Sequence, residues 1–343
     1  RRSSDLPHAR VRALTGLPGA RRLLVVEPTY RDAEHAAVNE TVAATGRARG
    51  LINAVLRRAC RESAELTAAA TDLPLETRTS HPKWLVQRWL AAFGQEKTTA
   101  LCEWNQQPAA TIGRANRLHP EMAAAAEDFT VYEHLPRAEL AAGMVYIQDP
   151  STLIAPRLLK PEAGMRVLDA CAAPGGKTAF MAQLMGNAGE IVACDVSEGR
   201  LRRLTNNLKR LGVTNTKVEL HDWTSESGPA FAGEGFDRIL LDVPCSNTGV
   251  MRRRVDVRWR IEESSFEQQT TTQERLLRST LPALKPGGAL VYSTCSIDPE
   301  ENGPLVRRVL ETLPGFRLET EESSFPPDSG IDGAYAGRII RVD

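Results

Sequence analysis

The sequence predicts an α/β protein: a parallel, doubly wound sheet from residue 151 onward, preceded by a helical segment and a small α+β domain. Three observations predict it. After residue 150, apolar runs of strand length alternate with helical stretches. Those runs are continuously apolar, the mark of strands buried on both faces. A turn, Pro174-Gly175-Gly176, follows the first such run, where open α/β sheets bind ligands, beyond the carboxyl ends of strands.

The expected strands are 165–171, 190–196, 217–221, 236–243 and 288–294, and the helices between them are 178–185, 198–211 and 266–284. Residues 81–150 mix a helix at 84–93 with strands at 110–116 and 144–148. The segment 63–80 is polar and Thr-rich with Pro74 inside it, and reads as a linker. Residues 1–62 read as helical, because 35–40 and 51–56 space their apolar residues at a helical period. No internal repeat interrupts this order.

The 343 residues suit two or three domains. With 42% hydrophobic and 25% charged residues, the composition is that of a globular protein, and no apolar run reaches membrane-span length. No signal peptide is visible, since the start is Arg-rich. The chain begins with arginine, so a truncated start is expected. Cysteines at 60, 102, 171, 194, 245 and 295 form no CxxC pair and no zinc spacing. Reduced thiols, a cytoplasmic location, no metal, no membrane partner and a monomer are the expectations.

The formal net charge is zero, but the charge is uneven. Residues 1–62 hold 12 Arg against 6 Asp plus Glu, a balance of +6. A second basic run holds Arg252, Arg253, Arg254, Arg258 and Arg260. Both suit phosphate contacts, or a solvated face.

The first strand runs into Asp169-Ala170-Cys171-Ala172-Ala173-Pro174-Gly175-Gly176-Lys177-Thr178. Two glycines let backbone approach a ligand, and the helix that follows offers free N–H donors. A phosphate-binding P-loop would need glycine where Cys171 stands, and the dinucleotide pattern G-x-G-x-x-G is absent. A nucleoside without a pyrophosphate fits better. Asp195, 20 residues after Gly175, suits both ribose hydroxyls. Asp222 could face an adenine edge. A lone strand-end Asp is more often a turn former, but Asp195, Asp222 and Asp242 close three successive strands.

Two further strands run into Pro244-Cys245-Ser246 and Thr294-Cys295-Ser296. Each delivers a cysteine to the same sheet edge, whereas Cys60, Cys102, Cys171 and Cys194 read as inert apolar residues.

Residues 169–178, 242–249 and 293–302 resemble the signature blocks of RNA (cytosine-5) methyltransferases of the NOL1/NOP2/Sun type. Gly50-Leu51-Ile52-Asn53-Ala54-Val55-Leu56-Arg57, with His35–Glu40, resembles the end of a NusB-like RNA-binding domain, as in the Fmu/RsmB branch of bacterial 16S ribosomal RNA enzymes. His81-Pro82-Lys83-Trp84-Leu85 and Arg114-Ala115-Asn116-Arg117 resemble the small domain before the catalytic one. The resemblance implies a Rossmann-like S-adenosylmethionine-dependent methyltransferase sheet at 151–343, a partial NusB-like domain at 1–62 and a small α+β domain at 81–150. It implies Cys295 as nucleophile and Cys245 in product release, while the Asp242 carboxyl at its strand end could hydrogen-bond a cytosine N3/N4 edge and stabilise charge on the ring. Cys171, Ala172, Ala173, Pro174, Gly175, Gly176, Lys177, Asp195, Asp222 and Asp242 would contact S-adenosylmethionine. Arg252, Arg253, Arg254 and Arg258 would contact RNA. The family often has His-Pro before the Asp of this basic loop; here Arg254-Val255 precede Asp256. A tRNA substrate, a small-molecule or protein methyltransferase, and a non-catalytic RNA-binding protein are the alternatives.

Overall fold

The chain divides into two units, 1–108 and 109–343. The computed structural model describes residues 11–14, 23–26, 38, 49–225, 233 and 235–342.

The first unit corrects two expectations. Residues 1–62 are not helical throughout: β1 (Val11–Leu14) pairs antiparallel with β2 (Leu23–Val26), Val11 opposite Val26. The paired stretches carry β-branched Val11, Val25 and Val26. The helix expected over 51–56 is present as Arg49–Arg61, with Leu56 buried. Most of 35–40 lies outside the described residues. The expected linker 63–80 carries helices Ser63–Ala70 and Leu75–Arg78. Alanines favour the first, and Pro74, with its fixed φ, sits at the N-cap of the second.

A long helix, Lys83–Trp104, is interrupted at Gly94. Buried His81 ties its two ends. Its Nδ1 meets Thr79 Oγ1 at 3.1 Å and its Nε2 meets Asn105 Nδ2 at 3.2 Å.

The second unit holds a three-stranded antiparallel sheet, with β3 (Thr111–Ala115) between β4 (Phe129–Tyr132) and β5 (Val145–Ile147). It also holds the seven-stranded sheet. The strands are β6 (Arg166–Asp169), β7 (Glu190–Asp195), β8 (Thr216–Leu220), β9 (Phe236–Asp242), β10 (Leu284–Thr294), β11 (Phe316–Ser324) and β12 (Ala334–Arg341). Their order is β11-β12-β10-β9-β6-β7-β8.

The five expected strands are the parallel ones β6 to β10. The sheet is nevertheless mixed, because β12 runs antiparallel to both β10 and β11. The connection from β11 to β12 is short, and parallel neighbours need a long crossover.

Burial on both faces explains the continuous apolarity. Val167, Leu240 and Val291 pack on one side with Leu159, Met181 and Ala182. Leu168, Ile239, Leu241, Leu290 and Tyr292 pack on the other with Leu276, Leu277, Leu305 and Val306. The register aligns Asp169 with Leu240 and Asp242 with Ser293. Loops leaving β6, β9 and β10 therefore emerge together at the carboxyl edge.

Candidate active site

The loop after β6 turns into the helix Gly176–Leu184 through Gly175, which caps it at φ +102°. A Cβ there would lie 2.7 Å from Leu204 Cδ1, the end of a side chain that could shift, so it is the backbone angle that selects glycine. The loop borders a cleft lined by Cys171, Ala172, Ala173, Pro174, Gly176 and Lys177, with Tyr146, Gln148, Thr152, Asp169 and Asp242 around it.

Asp169 is the cleft's buried acid. Its Oδ2 accepts a 2.7 Å hydrogen bond from Thr178 Oγ1, and its Oδ1 is buried without a hydrogen-bond partner. Burial pushes this carboxyl up to about 7, against the Thr178 hydrogen bond. Cys171 is also raised by burial, as suits an unreactive thiol.

Asp242 ends β9 with both oxygens held: Lys177 Nζ donates to Oδ2 at 2.6 Å and Ser293 Oγ to Oδ1 at 2.8 Å. Burial alone would lower the Lys177 ammonium, but Asp242 outweighs it and the net shift is up. Asp195 ends β7, buried, accepting from Ser197 N at 3.0 Å and pairing with Arg200 at 2.8 Å. Asp222 accepts from Thr224 N and Oγ1 at 2.8 and 2.7 Å, the arrangement of a turn-forming Asp.

The two cysteines of the strand ends meet: Cys245 Sγ lies 3.3 Å from Cys295 Sγ. Cys245 is buried and Cys295 half-buried. The Cys245 thiol is held well above the ordinary thiol range, by its hydrogen bond with Cys295 first and burial second. Their loops are joined by a buried polar network. Glu301 accepts from Ser246 N and Oγ at 2.9 and 2.5 Å and from Gln273 Nε2 at 2.9 Å. Thr248 donates to Asp298 at 2.6 Å, and Thr294 to Asn302 at 2.6 Å. Gly249 N donates to Cys295 O at 3.0 Å, and a Cβ on Gly249 would come within 2.8 Å of that oxygen.

Residues 156–338 match the family described as 16S rRNA methyltransferase RsmB/F, and 81–133 match the ferredoxin-like domain of RsmF/B-like methyltransferases. The chain belongs to the RsmB/F family. It is 35% identical to ribosomal RNA small subunit methyltransferase B of Pseudomonas putida, covering 90% of this chain and 78% of that one. It is 35% identical to the Klebsiella pneumoniae protein of that name, covering 96% and 84%. The structure of a methyltransferase homologue from Pyrococcus horikoshii superposes with a TM-score of 0.68 at 28% identity, covering 78% of this chain and 97% of that one. The seven-stranded sheet is thus that of an S-adenosylmethionine-dependent methyltransferase.

In this RsmB/F chain the basic run does not form the expected surface patch. Arg252 and Arg258 are buried. Arg253 bridges Asp149 at 2.6 Å and Asp332 at 2.5 Å and donates to Ala110 O at 2.8 Å. Arg254 and Arg260 remain exposed. The turn Thr248–Val250 and helix Val257–Arg260 fold the run inward, toward acids distant in sequence.

Residues not singled out from the sequence also build the site. Asp169 carried the same strand-end signal as Asp195. Gln148 comes from the end of β5, oriented by buried Arg114, which donates to its Oε1 at 3.1 Å; nothing local in sequence announces it. Asn247 and Glu301 flank the cysteines and were readable only as loop residues. Among the described residues, no helix is long and apolar enough to cross a membrane.

Proposed function

We propose that this chain methylates C5 of a cytosine in RNA, in the first instance 16S ribosomal RNA, through a covalent bond between Cys295 and C6. The observation that carries this reading is the thiol pair, 3.3 Å apart, at the strand edge that also bears the Lys177–Asp242 pair.

The cleft fits S-adenosylmethionine. The unpartnered Oδ1 of buried Asp169 suits a cationic ligand, the backbone around Gly175 and Gly176 admits close approach, and Asp195 suits ribose hydroxyls. Cys171 to Lys177 and Asp242 complete the contact set; Asp222, engaged in its turn, would serve an adenine edge. When bound, this cofactor supplies an electrophilic methyl group.

C5 of cytosine is too electron-poor to act alone. Addition of the Cys295 thiolate to C6 makes C5 enamine-like, splitting a difficult step into two. Asp242, steadied by Lys177 and Ser293, suits the N3/N4 edge and stabilises charge on the ring. Bonding of Cys295 to C6 removes the partner that chiefly holds the Cys245 thiol protonated. Cys245 releases its own proton to solvent and as thiolate takes the C5 proton, the C6–S bond breaks toward Cys295, and the C5=C6 double bond re-forms. A stacked base cannot reach these groups, so the cytosine is flipped out or already unpaired.

We assign residues 1–62 to RNA binding as a partial NusB-like domain and 81–150 to a small pre-catalytic domain. Of the four arginines expected to contact RNA, Arg254 is the exposed one and suits phosphate. Incubation with labelled S-adenosylmethionine and total RNA, followed by digestion to nucleosides, tests the reaction. Label in 5-methylcytidine is the expected result; label in protein or small molecules, or none, refutes it.

A further inference from the structure

Asn247 occupies the left-handed region, at φ 61° and ψ 26°, which Asn tolerates better than most side chains. Its amide touches both cysteine loops. Nδ2 donates to Cys245 O at 2.7 Å, and Oδ1 accepts from Cys295 Sγ at 3.3 Å. Arg254 NH1 donates to the same Oδ1 at 3.4 Å.

These partners fix which way the amide points. A carbonyl can only accept, so it selects Nδ2. A guanidinium can only donate, so it selects Oδ1. The Cys295 thiol therefore faces an acceptor.

We propose that Asn247 is a positioning residue that holds the Cys295 thiol as a hydrogen-bond donor turned toward the 245–247 loop before substrate arrives. This rests on the reading of Cys295 as nucleophile. Other groups act on the same sulfur. Cys245 offers an S–H donor at 3.3 Å, and the Lys177 ammonium is electrostatically coupled to Cys295; both favour the thiolate. Asp242 offsets Lys177 through their ion pair, Glu301 acts on Cys245, and Arg254 draws on the Asn247 oxygen. An acceptor bonded to S–H favours the neutral thiol over the thiolate, and the Asn247 oxygen also fixes the sulfur's direction.

Two substitutions should move Cys295 in opposite directions. Asn247→Gly keeps the left-handed backbone without strain and removes the acceptor. Asn247→Asp keeps the shape and makes the acceptor anionic. The measurement is the rate of iodoacetamide alkylation at Cys295 from pH 6 to 10, read by peptide mass spectrometry, with melting temperature as a fold control. The Gly variant should shift the profile to lower pH. The Asp variant should shift it up by about one unit, about tenfold slower alkylation at pH 7. Profiles that stay put, or move the same way in both folded variants, would overturn the proposal. 5-Methylcytidine formation is followed in parallel. Its absence in the unmodified protein would refute the proposed reaction, while opposed shifts would still establish the hold of Asn247 on the thiol.

Discussion

Cys245 and Cys295 carry one functional group in unequal surroundings, and the same principle governs the acids. Asp169 and Asp195 both end strands. Asp195 has a cation and a backbone N–H beside it, whereas Asp169 has one hydroxyl and a bare oxygen. Burial, with that one hydroxyl acting against it, raises Asp169 to about 7 in the folded protein, above its ordinary 3.8. Between those values the folded state binds more protons than the unfolded one. The contribution of Asp169 to stability is full below about pH 4 and is lost as pH rises through 7. Asp169→Asn should remove this loss. In thermal melts without ligand, the variant should gain on the parent from pH 5 to 8; a constant gap would contradict the assignment. A cationic ligand favours the ionised carboxyl, so S-adenosylmethionine affinity should rise across pH 7 in the parent alone. Asp195→Ala should weaken that affinity about tenfold or more, given 1.5–3 kcal/mol for a hydrogen bond to a charged group. Calorimetry with unchanged affinity in a folded variant would remove Asp195 from the site.

Loops and strands set where these side chains stand. Ala at Gly175 would keep φ near +102°, at a cost of about 1–3 kcal/mol, to be read by urea denaturation. Glu301→Ala would leave the Ser246 N–H without its acceptor, at a cost of about 1–3 kcal/mol, and the Gln273 amide with Pro244 O alone, and should release the Cys245 loop. A variant as stable as the parent would show that water replaces the carboxylate. At this scale the sequence is readable where burial is two-sided. Val167-Leu168 and Ile239-Leu240-Leu241 are apolar without a break because helices cover both faces, and the Gly-rich loop announces itself by backbone need. β11 gives no such signal: Arg317, Glu319, Glu321 and Glu322 sit on an exposed edge strand. The arginine run misleads for another reason. Like charges in a row suggest a patch, but Asp149 and Asp332, which draw Arg253 inward, are about a hundred residues before it and eighty after it.

Across the whole molecule, the sheet and the excess of positive charge occupy different stretches. All seven strands β6 to β12 fall within 109–343, whereas the +6 balance lies in 1–62. Deleting 1–62 should weaken RNA binding and flatten its salt dependence while sparing S-adenosylmethionine binding. RNA affinity unchanged across several salt concentrations would make the segment structural only. The helical reading of 1–62 did not anticipate the β1–β2 pair, because strands of four residues offer too few positions for a period to emerge. The central claim is that the two thiols have unequal tasks. It is tested most directly by incubating Cys245→Ala with S-adenosylmethionine and RNA and running a denaturing gel. The account predicts a nuclease-sensitive protein–RNA adduct, because methylated RNA stays bonded to Cys295 when the C5 proton cannot leave. It predicts none in Cys295→Ala or the double variant. An adduct in Cys295→Ala alone would reverse the roles. Two active single variants that trap no RNA would contradict the covalent mechanism itself.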